Sequence, residues 1–420
     1  MKKIKKFLRI LGPGFITGAS DDDPSGIATY SQTGAMFGFS QAWTALFSFP
    51  LMAAVQEMCG RIGLLTGHGL AGVMQRHYSK TLLYFAVSLL FIANTINIGT
   101  DLGAMAASAQ LVFGLPFIVW LVGMLIITLT LEIFVSYKTY SKYLKYLTFA
   151  LFSYVIAAFA VHIDWKSVLI STVIPRLQFS KEYLLNIVAV LGTTISPYLF
   201  FWQANQEVEE EIAHHRLRQM GAGQPRIGPS DISRLRIDTI IGMFFSNVVM
   251  FFIIVTTGAT LFPHGINTIK SADAAALALK PLAGDFTFLL FALGIIGTGL
   301  LAVPILAGSA SYAISEAFGW HAGLYRKLKK AHGFYGAITI ATLIGILINF
   351  IGINPISALY YTAVLNGIIA PPLLIIIFHI ANNKRIMGER VNSGLINILS
   401  IIAIVVMSVS ALALIATFIF

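Results

Sequence analysis

Apolar stretches of about 20 residues recur along the whole chain, each long enough to cross a bilayer as an α-helix. No other feature limits the fold so tightly, because backbone in hydrocarbon must satisfy its hydrogen bonds within the protein. Charged residues are 11% of the 420, and apolar ones 57%. A surface facing water needs about 25% charged residues. Most of this surface must therefore face lipid, and the expected class is an all-α integral membrane protein. The longest polar connection, residues 207–236, is too short for a soluble domain of useful size. The single cysteine, Cys59, leaves no internal disulfide framework.

Read against glycine, proline and charge clusters, the apolar runs give about eleven spans. They fall near 11–36, 42–65, 81–110, 116–137, 143–163, 184–206, 237–262, 285–318, 333–351, 355–381 and 393–419. An odd number places the termini on opposite sides. The basic residues agree: of 28 Lys and Arg, only Lys166, Arg176, Lys181, Lys270 and Lys280 fall on the far side from the N-terminus. The positive-inside rule then puts the N-terminus in the cytoplasm and the C-terminus outside the inner membrane. The net charge of +10 belongs to these loops and not to a nucleic-acid surface. Residues 1–9 look like the start of a signal peptide. Asp21, Asp22 and Asp23 interrupt the apolar run that follows, and no cleavage site closes it, so the segment reads as retained.

Five spans followed by five more start from opposite membrane faces, the geometry of an inverted repeat. The expected units are 1–165, 166–382 and an added helix in 383–420. The first span of each repeat carries a break at mid-membrane: Gly18-Ala-Ser-Asp-Asp-Asp-Pro-Ser-Gly26 and Gly192-Thr-Thr-Ile-Ser-Pro-Tyr198. Proline lacks an amide donor and disfavours helix before it. Paired breaks at corresponding positions point to a transport site. Asp23 is the leading cation ligand, since a buried charge at a break needs a counter-ion, and it also suits the cap of the second half-helix. Asp21 and Asp22 cannot share one face; one lines the vestibule or both are solvated charges. Asp101 in span 3 is an intramembrane carboxylate, a functional candidate or the partner of a polar helix. Glu57 is expected at the cytoplasmic surface beside Arg61, and Glu207, Glu209, Glu210 and Glu211 at a solvated helix end. The histidines lie in loops or near span ends, without His-Glu-x-x-His or a nucleophile–base pair, so no enzyme is expected.

Several motifs taken in order are shared with one family. Gly12-Pro-Gly-Phe15, Asp23-Pro-Ser-Gly26, Ala35-Met-Phe-Gly38, Arg61-Ile-Gly-Leu-Leu-Thr-Gly67, Asn97-Ile-Gly-Thr100 and Asn383-Lys-Arg-Ile-Met-Gly388 resemble the Nramp divalent-metal transporters over nearly the whole chain. The resemblance implies the LeuT-type fold, with helices 1 and 6 unwound around the ion. It implies a metal site of Asp23, the carbonyls of Ser20 and Thr193, and the positions Gly26 and Ser196. Asp22, Tyr198, Gln203, Asn366 and Asp101 are secondary candidates, Asn366 toward the metal's hydration shell.

Departures from the family pattern shape the expected cargo. Family members carry Asp-Pro-Gly-Asn in helix 1 and Met-Pro-His in helix 6; here the Asn position is Gly26 and the second motif is Ser196-Pro197-Tyr198. Thioether ligands suit softer transition metals, whereas Mg²⁺ takes oxygen ligands and keeps several waters. This variant resembles the Nramp-related magnesium transporters. The family's helix-3 acidic positions align with Ala93 and Ile96, and its helix-6 histidines with Tyr198 and Gln203, none of which titrates near neutrality. The expectation is a monomer importing Mg²⁺, and Mn²⁺ with it, as a partly hydrated substrate without cofactor or proton coupling. The alternatives are a proton-coupled Mn²⁺/Fe²⁺ symporter and, more remotely, a sodium-coupled organic-solute symporter of the same fold.

Overall fold

The computed structural model describes residues 12–135 and 151–419. The basic segment 1–9, Lys138, Lys142, Lys145 and the start of the fifth span lie outside the described residues. Regular structure among the described residues is entirely helical. The helices are α1 (Pro13–Asp21), α2 (Pro24–Phe37), α3 (Trp43–Thr66), α4 (Leu70–His77), α5 (Lys80–Phe113) and α6 (Phe117–Phe134). Then follow α7 (Phe152–Ala160), α8 (Trp165–Val173), α9 (Lys181–Thr194), α10 (Pro197–Ala213) and α11 (Pro229–Thr260). The last are α12 (Thr287–Ala317), α13 (His332–Ile346), α14 (Pro355–Asn382) and α15 (Gly394–Ile419), with short turns between some of them.

Among the described residues, 8 helical stretches are long and apolar enough to cross a membrane, α9 and α10 counting as one. The chain is a multi-pass membrane protein. The other three expected spans differ for visible reasons. The first is split between α1 and α2, the second (α3) carries Glu57 and Arg61, and the fifth is described only from residue 151. Burial sorts centre from periphery. In its most apolar stretch α9–α10 is 89% inside the protein, against 22% for α6 and 28% for α15. The second broken helix is therefore central, and α6 and α15 face lipid.

Local chemistry starts and stops these helices. Ser79 caps α5 by accepting from Leu82 N at 3.3 Å, and Asn354 caps α14 through Ile356 N at 3.0 Å, with Pro355 at the first helical position. Two glycine contacts set the broken helices against their neighbours. A Cβ on Gly18 of α1 would stand 2.3 Å from Gly242 of α11, and one on Gly192 of α9 2.3 Å from Gly367 of α14. Any side chain there would push the helices apart.

The basic face is more tightly tied than the sequence implied. Glu57 is buried, not surface-facing: it pairs with Arg61 and Arg236, each at 3.3 Å. Arg61 also donates to the Arg390 carbonyl and to Asn392. The acidic end of α10 is likewise a network and not a solvated terminus. Glu207 and Glu211 are buried, Glu210 meets Arg234 at 3.4 Å, and Glu209 accepts from Tyr312 Oη and Leu324 N. Isolated sequence cannot reveal this, because Arg236, Arg390, Asn392, Arg234, Tyr312 and Leu324 all come from other elements.

Candidate functional site

The two breaks meet at the centre of the protein. α1 ends at Asp21, Asp22 leaves helical geometry (φ −81°, ψ 52°), and Asp23 opens α2 ahead of Pro24. Asp23 Oδ1 accepts from Gly26 N at 2.7 Å and from Ser25 Oγ at 2.6 Å. It is thus the N-cap of α2, and neither bond uses Oδ2. In the second break α9 ends at Thr194, and Ile195 and Ser196 bridge to Pro197 at the start of α10. Ser196 Oγ turns back and donates to the carbonyls of Gly192 at 2.7 Å and Thr193 at 2.8 Å. Its hydrogen is engaged in ending α9.

Contacts across the gap join the halves. Ser25 Oγ lies 3.4 Å from Thr193 Oγ1, Tyr30 Oη 3.3 Å from Thr194 Oγ1, and Tyr198 Oη donates to the Ser20 carbonyl at 2.9 Å. That carbonyl and the Thr193 carbonyl each keep a second lone pair for a cation. Gly26, which lacks the family's Asn side chain, does not open onto free space. A Cβ there would stand 3.2 Å from the Asp21 carbonyl oxygen and 3.3 Å from Thr193 Oγ1. Gly26 is where the breaks touch.

The other candidates separate into three groups. Asp21 and Asp22 turn toward α11, where Ser246 Oγ donates to Asp21 Oδ2 at 2.6 Å and reaches Asp22 Oδ1 at 3.3 Å. Asp101 of α5 has Asp23 as its charged neighbour and acts on Tyr198, while both of its carboxylate oxygens are buried without a hydrogen-bond partner. Asn366 Nδ2 is also buried and unpartnered. Gln203 is directed elsewhere: it donates to Glu207 at 2.8 Å and packs beneath Gly60 of α3.

Asp21, Asp22, Asp23 and Asp101 are 0%, 4%, 1% and 0% exposed. Among the described residues none of them pairs with a Lys, Arg or His. Burying charged carboxylates without a cation costs several kcal/mol per ion, by an order-of-magnitude figure. In this setting the carboxylates stay charged only beside an external cation and otherwise take up protons. No three His, Cys, Asp or Glu side chains converge into a metal cluster among the described residues. One or two carboxylates and the neighbouring carbonyls are the oxygens such a site could offer, a set that suits a hard divalent cation keeping part of its water.

Two neighbours of the site were not anticipated. Ser246 is one, and the other is Met250, whose sulfur accepts from Thr194 Oγ1 at 3.7 Å. Both lie on α11, and the only sequence signal was the polar pair Ser246-Asn247 inside an apolar span.

Comparison with known proteins places this architecture. The family profile described as Nramp, natural resistance-associated macrophage protein-like, matches residues 14–417. A divalent metal cation transporter MntH from Caldanaerobacter subterraneus is 25% identical over 410 residues, covering 95% of this chain and 91% of its own. The MntH of Bacillus subtilis is 24% identical over 438 residues, covering 99% and 95%. A crystal structure of the Eremococcus coleocola manganese transporter superposes with a TM-score of 0.72 at 16% identity, over 97% of this chain and 86% of that one. Mhp1, a nucleobase-cation-symport-1 family transporter, superposes at 0.59 with 11% identity, over 97% and 93%. The fold is the LeuT type.

Proposed function

We propose that this chain, which belongs to the Nramp family, carries divalent metal ions across the inner membrane by alternating access, with Mg²⁺ as preferred cargo. The metal is substrate and not cofactor, and the protein is a transporter and not an enzyme. One observation carries the reading: buried carboxylates led by Asp23 stand at the first helix break, facing the second, with no basic partner among the described residues. Asp23 is the anchoring carboxylate, through Oδ2. The carbonyls of Ser20 and Thr193 add hard oxygens, and Asn366 and Asp101 orient the water the ion retains. The absence of a methionine at Ser196 favours Mg²⁺. Neutral residues at Ala93, Ile96, Tyr198 and Gln203 favour uptake driven by the metal gradient and membrane potential, without protons. The repeats 1–165 and 166–382 rock about the breaks, with the helix in 383–420 added outside them, the N-terminus cytoplasmic and the unit monomeric.

A second reading has its own support. The Met250 sulfur beside Thr194 offers a soft neighbour, and the relatives named above include a manganese transporter. A Mn²⁺ carrier coupled to protons through Asp101 would use both. Proteoliposomes with a Mg²⁺ dye and a pH dye in the lumen separate the two. Mg²⁺ entry with steady lumenal pH supports the first; acidification driven by Mn²⁺ without Mg²⁺ entry supports the second and removes the first. Labelled amino-acid uptake in the same vesicles checks the organic-solute alternative.

A further inference from the structure

The loop between α12 and α13 lies on the face that carries most of the basic residues, and it is uncommonly rich in cations and rings. No Asp or Glu occurs between Glu316 and Glu389, while Arg326, Lys327, Lys329 and Lys330 fall within residues 326–330. Arg326 is engaged, donating to Gln219 Oε1 at 2.9 Å and Tyr325 Oη at 3.0 Å. The three lysines are exposed and enter no ion pair among the described residues. Beside them Trp320 stacks on Phe318, with centroids 5.3 Å apart and planes at 23°, and Phe318 leans on Tyr84 of α5 at 5.8 Å. These rings are 47%, 56% and 41% exposed. Trp320 is held in place by the bare Cα of Gly333, where a Cβ would stand 2.6 Å from the indole. Trp320, His321, Lys330 and His332 line an open cleft of about 410 Å³.

We propose that this cleft binds the headgroup of an anionic phospholipid. Aromatic rings at helix ends mark the level of the lipid headgroups, where an apolar face and a polar edge are both satisfied. Unpaired lysines at that level attract phosphate. The nearest carboxylates are turned away: Glu209 is bonded to Tyr312 and Leu324 N, and Glu316 to the amides of Gly69 and Gly72. A free phosphate would account for the lysines but would leave the exposed ring trio against water. A lipid covers the rings and neutralises Lys330, the lysine that lines the cleft.

Delipidated protein in detergent, titrated with phosphatidylglycerol or phosphatidylcholine of matched chains and followed by native mass spectrometry, tests this independently of any transport assay. Wild type should retain phosphatidylglycerol about fivefold better, and Lys330→Gln should erase that preference, as expected for one lysine at a lipid surface. Lys327→Gln, outside the cleft lining, should keep it. Brominated phosphatidylglycerol should quench tryptophan emission in wild type more than in Trp320→Phe. Equal retention of the two lipids, an unchanged preference in Lys330→Gln, or displacement by millimolar inorganic phosphate would each overturn the proposal.

Discussion

Asp23 does two jobs that a single alanine substitution confounds. It caps α2 through Oδ1, and in the proposed mechanism its charge also anchors the cation. Asp23→Asn separates them, because an amide oxygen still accepts from Gly26 N. The variant should fold with its thermal midpoint nearly unchanged while Mg²⁺ uptake into proteoliposomes falls about 100-fold or more, the scale of a lost metal contact. Full transport by this variant would reduce Asp23 to a cap. Asp23→Ala should lose the same transport and also about 1 kcal/mol of stability. Ser196→Ala should behave differently. Its hydroxyl hydrogen serves the Gly192 and Thr193 carbonyls, so the change costs about 1 kcal/mol of stability and leaves Mg²⁺/Mn²⁺ competition unaltered. The place of Asp23 and Gly26 at the helix break was legible in the sequence because Pro24 fixes the break next to them. The direction of Ser196 was not, since a serine rotamer depends on which carbonyls the break leaves open. Nor were Ser246 and Met250, which reach the site only through tertiary packing of α11.

Among the elements, α1 is the one least able to stand alone. It is nine residues long, and its first amides are capped by Asp238 of α11: Gly12 N at 2.8 Å, Gly14 N at 2.7 Å and Phe15 N at 3.2 Å. Its lower face is the glycine seam against Gly242. Asp238→Ala should free α1 to swing from α11 toward the basic side. In a Cys59→Ser background, a thiol at Thr17→Cys should then react with a membrane-impermeant reagent about tenfold faster from that side, the equivalent of one lost cap. An unchanged rate would show that the seam alone holds α1. Proline, glycine and cap residues made the helix ends readable in advance. The contacts of Asp238 and Glu209 and the Glu57–Arg236 pair were not readable, because they join segments far apart in the chain.

Taken whole, the molecule presents a buried site, a lipid-facing rim of α6 and α15, and a latched basic face. With Asp23, Asp101 and Asn366 all at most 2% exposed, a cation reaches the proposed site only when elements move. The motive force then decides direction. A divalent ion gains about 4.6 kcal/mol from 100 mV, enough for about 10³-fold accumulation. Uptake of Mg²⁺ should therefore rise steeply with a potassium-diffusion potential set by valinomycin. It should be indifferent to a protonophore once that potential is clamped. Sensitivity to the pH gradient at fixed voltage would favour proton coupling instead. The span pattern and charge asymmetry were legible at this scale because lipid imposes them on every segment. Cargo preference was less so, because it depends on side-chain positions that packing sets, as Met250 beside Thr194 shows.

The cap that Asp238 gives to α1 also sets an order of events during synthesis. The ribosome completes α1 more than two hundred residues before its cap exists. Until α11 enters the bilayer, the first turn of α1 keeps its amides open to lipid or to whatever attends the nascent chain. Chains truncated ahead of α11 should hence leave residues 12–21 open to protease, and extension past Asp238 should close them.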